Sequence, residues 1–332
     1  MEPMFLIVIV VILALSFDFI NGFHDTANAI ATSVSTRALS PRNAILIAAS
    51  LNFIGALTFT GVAKSIGGKV ADPATLDHGL LIIVATLIAA IAWNLITWWY
   101  GIPSSSSHAL IGSMAGAVIA SAGLAGINSS GFTSILVALI FSPIIAFVVG
   151  FIVMKLVYWI FASFSPHRLN KNFRTMQIVT ACFQSFTHGT NDAQKAMGVI
   201  TFALVAGGLQ DTLDVPLWVK VSAAAAMGLG TSIGGWKIIK TMGSKIFKIE
   251  PANGVSADMT SASVILGATM IGFPVSTTHV VTSGILGVGA AKRFRDVKWN
   301  VAGKIVMTWF ITIPISALLA AGVYKIIEIL YL

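Results

Sequence analysis

Five stretches of this chain, residues 4–17, 43–63, 79–100, 133–154 and 305–324, are dominated by apolar side chains and carry no charge. A helix needs about 20 such residues to cross the hydrocarbon of a bilayer. Only 10% of the 332 residues are charged and 56% are hydrophobic, whereas a soluble domain carries about 25% charge. The chain therefore reads as an all-α polytopic membrane protein, and single-pass anchoring is excluded. The first apolar run follows Glu2 with no basic residue before it and leads into a polar segment, as expected of a retained first helix rather than a cleaved leader. Cys182 is the single cysteine, so it forms no intramolecular disulfide or thiolate cluster and is expected to be a packing residue.

The net charge of +8 would suggest nucleic acid as a partner for a soluble chain, but its distribution points to lipid instead. Lys and Arg collect in four connections, at Arg37/Arg42, His167–Arg174, Lys237–Lys248 and Lys292–Lys304, while 71–78 and 207–216 carry only acids and 121–131 no charge. By the positive-inside rule the first four face the cytoplasm and the others the outside. The expected location is the cytoplasmic membrane.

Two polar motifs recur in order half a chain apart. Gly22-Phe-His-Asp-Thr-Ala-Asn-Ala29 matches Gly189-Thr-Asn-Asp-Ala-Gln-Lys-Ala196 at Gly, Asp and Ala, and Gly101-Ile-Pro-Ser-Ser-Ser-Ser-His108 matches Gly272-Phe-Pro-Val-Ser-Thr-Thr-His279. Duplication explains both. Five segments per half, about ten in all, give halves of opposite orientation, an arrangement found in many secondary transporters. The expected units are a first inverted repeat over 1–165, a basic connection over 166–175 and a second repeat over 176–332. Short apolar segments beside Pro103 and Pro274 allow re-entrant hairpins or full crossings, and both choices keep the same parity.

Within 18–37 the residues Asp18, Asn21, Gly22, His24, Asp25 and Asn28 interrupt an apolar run, which predicts a broken helix at membrane depth, where acids are costly and functional by default. Asp25 and Asn28 share a helix face and offer hard oxygen ligands suited to a coupling cation; the alternative is that Asn28 bridges helices. The second copy is expected to break its helix in the same way; it keeps Asp192 but has Lys195 in place of the Asn. Three roles stay open there: a structural Asp192–Lys195 ion pair, a proton-linked site, or direct contact of Lys195 with an anion.

Ser104, Ser105, Ser106 and Ser107, like Ser276, Thr277 and Thr278, follow a proline and precede a helical pattern. That marks helix N-termini, whose free N–H groups attract anions. One hydroxyl per terminus is enough for capping, and the surplus is expected to bind an oxyanion. His108 and His279, next in the chain, read as packing residues or as donors that titrate. A serine hydrolase built on Ser107 and His108 is a weak alternative, because neighbouring residues point to different helix faces. A passive channel is a further alternative.

The residues 22–32, 188–198 and 272–279 resemble the inorganic phosphate transporter family, in particular its bacterial low-affinity branch, over nearly the whole chain. The resemblance implies a homodimeric symporter importing inorganic phosphate. It carries substrate contacts onto Ser104–Ser107, Ser276–Thr278, Asp25, Asp192, Gln194 and Lys195, and coupling-ion contacts onto His24, Asp25, Asn28, Asn191 and Asp192. The implied coupling cation is a proton or sodium, with phosphate carried alone or as a complex with a divalent metal. His24 and Lys195 depart from the Asn found in many members at those positions, which argues against a full set of sodium sites. Sulfate is the nearest rival anion, since fold alone does not fix the substrate.

Overall fold

The computed structural model describes residues 3–72, 76 and 78–331, leaving aside the side chains of residues 3, 67 and 166–169. The acid at position 77 and the basic side chains at 167 and 168, which helped assign the connections, lie outside the described residues. The first half contains α1 (Pro3–Ser35), α2 (Pro41–Ala56), α3 (Gly61–Lys69), α4 (Gly79–Tyr100), α5 (Ser106–Ala122) and α6 (Ser129–Ile160). The second contains α7 (Pro166–Asp192), α8 (Gln194–Ala206), α9 (Leu217–Ile233), α10 (Trp236–Lys240) with a π turn at Thr241–Lys245, α11 (Pro251–Met270), α12 (Thr277–Lys292) and α13 (Trp299–Tyr331). The described residues include no strand.

Four helices, Met4–Ser35, Gly79–Tyr100, Ser129–Ile160 and Trp299–Tyr331, are long and apolar enough to cross a bilayer by themselves. The helix order repeats: α1 corresponds to α7 with α8, and α2 to α9. Likewise α3 corresponds to α10 with its π turn, and α4, α5 and α6 to α11, α12 and α13. Packing follows the same exchange, with α6 on α12 as α13 is on α5, α9 on α1 as α2 is on α7, and α11 on α7 as α4 is on α1. Pro143 and Pro314 lie inside the matching helices α6 and α13.

Several helices come close together where glycine removes the side chain, the usual device between membrane helices. Gly22 lies against α9, where an added Cβ would stand 2.5 Å from the Met227 carbonyl oxygen, and Gly189 lies against the Asn52 backbone of α2. Gly22→Ala or Gly189→Ala is therefore expected to destabilise the protein by about 1–3 kcal/mol through overpacking. The fall in thermal unfolding midpoint of the purified variants measures it; Gly267→Ala, where the added Cβ meets nothing within 4 Å, is the control.

The connections sort by charge to opposite ends. At one end Ser35 donates to the Gly243 carbonyl, the Lys298 N–H donates to Ile246 at 2.9 Å and Lys292 meets Glu250 at 2.8 Å. At the other the Asn128 N–H donates to Val70 at 3.0 Å, and Lys64 of α3 meets Asp214 at 2.5 Å. The hydrogen bond from Lys64, then that from Thr212, holds the Asp214 carboxyl below its ordinary value. Both partners are exposed, so the pair contributes little stability. The first of these ends is the basic end of the molecule and the second its acidic end.

Two expectations are corrected. The polar segment 18–37 does not break its helix: α1 runs unbroken to Ser35, because neighbouring helices take several of its polar side chains, Thr26, Asn28 and Thr32 among them, while the backbone keeps its own ladder. The second copy does break as expected, at Ala193 between α7 and α8, where the Gln194 side-chain amide donates to the Thr190 carbonyl that a continuous helix would pair with a backbone N–H. The apolar stretch 43–63 is not one crossing but α2, a turn and α3, and Thr58 takes the Gly55 carbonyl at the turn. The 166–175 stretch forms the first turns of α7.

Candidate functional site

Gly101 and Gly272, with φ of 65° and 72°, reverse the chain after α4 and α11 in the left-handed conformation that glycine adopts without strain. Each reversal sends the chain into a buried helix start. Ser105 caps α5 by accepting from the His108 N–H at 3.1 Å, and Ser276 caps α12 by accepting from the His279 N–H at 3.2 Å. Ser107 donates to the Val275 carbonyl at 3.0 Å, tying one hairpin to the other. The two N-termini thus meet in the interior, one from each half.

Against them α1 and α7 set their acids. Asp25 accepts from Ser106 at 3.2 Å and from Thr278 at 3.3 Å, and its other close neighbour is His24 Nδ1 at 2.6 Å. Asp192 accepts from Thr277 at 3.1 and 3.2 Å and from Asn21 at 3.3 Å. Lys195 Nζ lies 2.9 Å from Asp192 and donates to Ser106 at 2.8 Å, joining the two acids through one ammonium. Asn28 donates to Thr278 at 3.0 Å and to Thr277 at 3.4 Å. Lys195 is 1% exposed and Asp192 not at all, so desolvation is offset only because charge and hydrogen bonds are both supplied.

The other expected contacts are placed elsewhere. Gln194 accepts from the Ala63 N–H at 3.0 Å and so orients α3. Asn191 donates to Thr269 at 3.0 Å, the counterpart of the 3.0 Å contact between His24 and Thr97. Ser104 donates to Thr97 at 2.9 Å. His108 and His279 lie with ring centroids 4.4 Å apart, and His279 stacks on Trp309 at 3.9 Å, so the pair packs behind the cluster. His108 Nδ1 pairs with Ser105, while Ser107 bonds a carbonyl, which leaves no Ser107–His108 couple.

Sequence reasoning missed Thr97, His188 and Asp258 as parts of the polar interior. His188 Nε2 lies 3.3 Å from Asp192, one turn earlier on α7. Asp25, His188 and Asp192 each offer a ligand atom within 4.8 Å of the others, a set of donors that suits a cation. Asp258 of α11 accepts from Thr32 at 2.6 Å and Thr180 at 3.2 Å. The signal for this depth of polarity was the spacing on α1: residues 18, 21, 25, 28 and 32 follow steps of three and four and form one buried stripe.

Apolar helices around a buried cluster of acids, hydroxyls and one ammonium, with two helix starts meeting at it, define a multi-pass membrane protein with a polar site in its interior. Residues 21–320 match the model of the phosphate transporter family, and the chain belongs to that family. It is 62% identical over 327 residues to a Bacillus subtilis (strain 168) protein named "Probable low-affinity inorganic phosphate transporter", covering 98% of each chain. A Rhizobium meliloti (strain 1021) protein of the same name is 46% identical over 321 residues and 96% of each. A solved structure titled "The sodium-dependent phosphate transporter" superposes with a TM-score of 0.91 at 26% identity, covering 98% of this chain and all of that one.

Proposed function

We propose that the chain imports inorganic phosphate by symport with a proton or sodium, and that Asp25 and Asp192 couple the two. The observation that carries this is that the carboxylates now accept the donors a phosphate would need: Ser106, Thr277, Thr278 and Lys195 all point at Asp25 or Asp192. Phosphate and the bare carboxylates compete for these groups. A cation on the acids frees the donors and offsets the anion's charge, so each ligand favours the other, and this reciprocity is a coupling free energy.

Asp25, Asn28, His24 and Asp192 form the cation side of this reading, and Ser106, Thr277, Thr278 and Lys195 the phosphate side. Ser105, Ser107 and Ser276 shape the helix starts, while Ser104, Gln194 and Asn191 hold the surrounding helices. A divalent ion travelling with phosphate would be cargo, and Asp25, His188 and Asp192 suit it in donor type. The Lys195 ammonium, 2.9 Å from Asp192, competes for that place. The basic end is taken to face the cytoplasm.

Uptake of labelled phosphate into proteoliposomes tests the reading. The parent is expected to accumulate phosphate when a proton or sodium gradient is imposed, and Asp25→Asn with Asp192→Asn to reduce uptake to the level of empty vesicles. Accumulation by the double variant would sink the proposal. The homodimer implied by the resemblance belongs to the same reading; light scattering from protein in lipid discs reads it, and one chain per particle would oppose it.

A further inference from the structure

Asp18 lies on α1 two turns toward the acidic end from Asp25, about 10 Å along the helix. Its side chain is fully buried, and neither carboxylate oxygen has a hydrogen-bond partner. The other buried acids differ. Asp25 has His24 at 2.6 Å, Asp192 has Lys195 at 2.9 Å, and Asp258 has two threonine hydroxyls. Asn21, one turn along the same stripe, turns its amide N–H₂ to Asp192 and leaves Oδ1 unpartnered and buried. Three acceptor oxygens on neighbouring turns of α1 therefore have no donor.

A bare carboxylate at this depth is too costly to persist, so Asp18 must take up a positive charge. A hard metal cation needs about six oxygen ligands, and α1 supplies three. A proton needs one lone pair. The charged groups that act on Asp18 are Lys195 and Asp192, which already pair with each other; α4 contains no acid or base, and α9 contributes only Lys220 near its acidic-end start. From this geometry we infer that Asp18 is a proton-exchanging group, loaded from the acidic end, which carries a coupling proton separately from the phosphate cluster. The inference rests on the phosphate-carrier reading above.

The charge logic is direct. Lys195 serves both Asp192 and Ser106. An anion drawn to Lys195 cancels part of the positive field at Asp18, so proton and phosphate favour each other's binding, and by reciprocity proton loss favours phosphate release. Proton uptake turns the carboxylate into a neutral carboxylic acid. Proton release restores the charge.

Asp18→Asn mimics the protonated state permanently. In proteoliposomes this variant is expected to lose pH-gradient-driven phosphate accumulation while phosphate–phosphate exchange persists, and its equilibrium phosphate affinity is expected to vary less steeply with pH than the parent's. Asp18→Glu should recover accumulation with a shifted pH midpoint. Accumulation by Asp18→Asn with the parent's pH profile overturns the inference, as does parental accumulation that follows sodium alone. Loss of exchange and phosphate binding in correctly assembled Asp18→Asn also overturns it, by placing Asp18 in the anion site. If that variant does not assemble, Asp18→Glu decides: an unshifted pH midpoint is contrary, a shifted one supportive. Absence of phosphate binding by the parent would instead sink the carrier reading.

Discussion

Lys195→Met is expected to lower stability by about 3–5 kcal/mol, because it leaves Asp192 buried without its cation. The methionine fills most of the lysine's volume, so little of this loss is a cavity. The same change removes the Nζ that lies 2.9 Å from Asp192 and 2.8 Å from Ser106, so phosphate uptake is expected to vanish. Adding Asp192→Asn removes the unpaired charge and should restore much of the stability, since replacing both members of a buried pair is often nearly neutral. It should not restore uptake. Denaturant unfolding in detergent measures the first effect and vesicle uptake the second. A single Lys195→Met variant as stable as the parent would show that something other than Lys195 neutralises Asp192.

That ion pair illustrates what the sequence disclosed. Asp192 and Lys195 are three apart on a helical pattern, and local spacing predicted that they could meet. The order of elements was legible for the same reason: apolar runs, the prolines at 103 and 274 and the repeated Gly-x-x-Asp are local signals. A break was expected in both copies and occurs only in the second, because polarity alone does not interrupt a helix whose side chains find partners on neighbouring helices. The Asn28 amide N–H₂ is taken by Thr277 and Thr278 of α12, about 250 residues away in sequence, and a partner at that distance leaves no local trace. The position of the break depends on Gln194 taking the Thr190 carbonyl, and Gln is an ordinary helix former. His188 was visible as part of a motif, but its approach to Asp192 follows only from α7 continuing as a helix through both residues.

The hydroxyl clusters give the sharpest separation of roles. In the sequence Ser104–Ser107 are four equal donors, whereas in the fold only Ser106 reaches an acid and the ammonium, at 3.2 Å from Asp25 and 2.8 Å from Lys195. Ser104 bonds Thr97 and Ser105 caps its helix. A hydrogen bond to a charged group contributes about 1.5–3 kcal/mol. Ser106→Ala is thus expected to weaken phosphate binding roughly tenfold to a hundredfold, and Ser104→Ala to change it by less than about threefold, since its neutral bond to Thr97 is remote from the anion. Ser105→Ala should lower stability by about 1 kcal/mol through the lost cap. Equilibrium binding of labelled phosphate separates the first two, and unfolding reads the third. Equal losses from Ser104→Ala and Ser106→Ala would mean that the bound anion sits nearer the hairpin reversal than Asp25 does, and would move the phosphate side of the site toward Thr97.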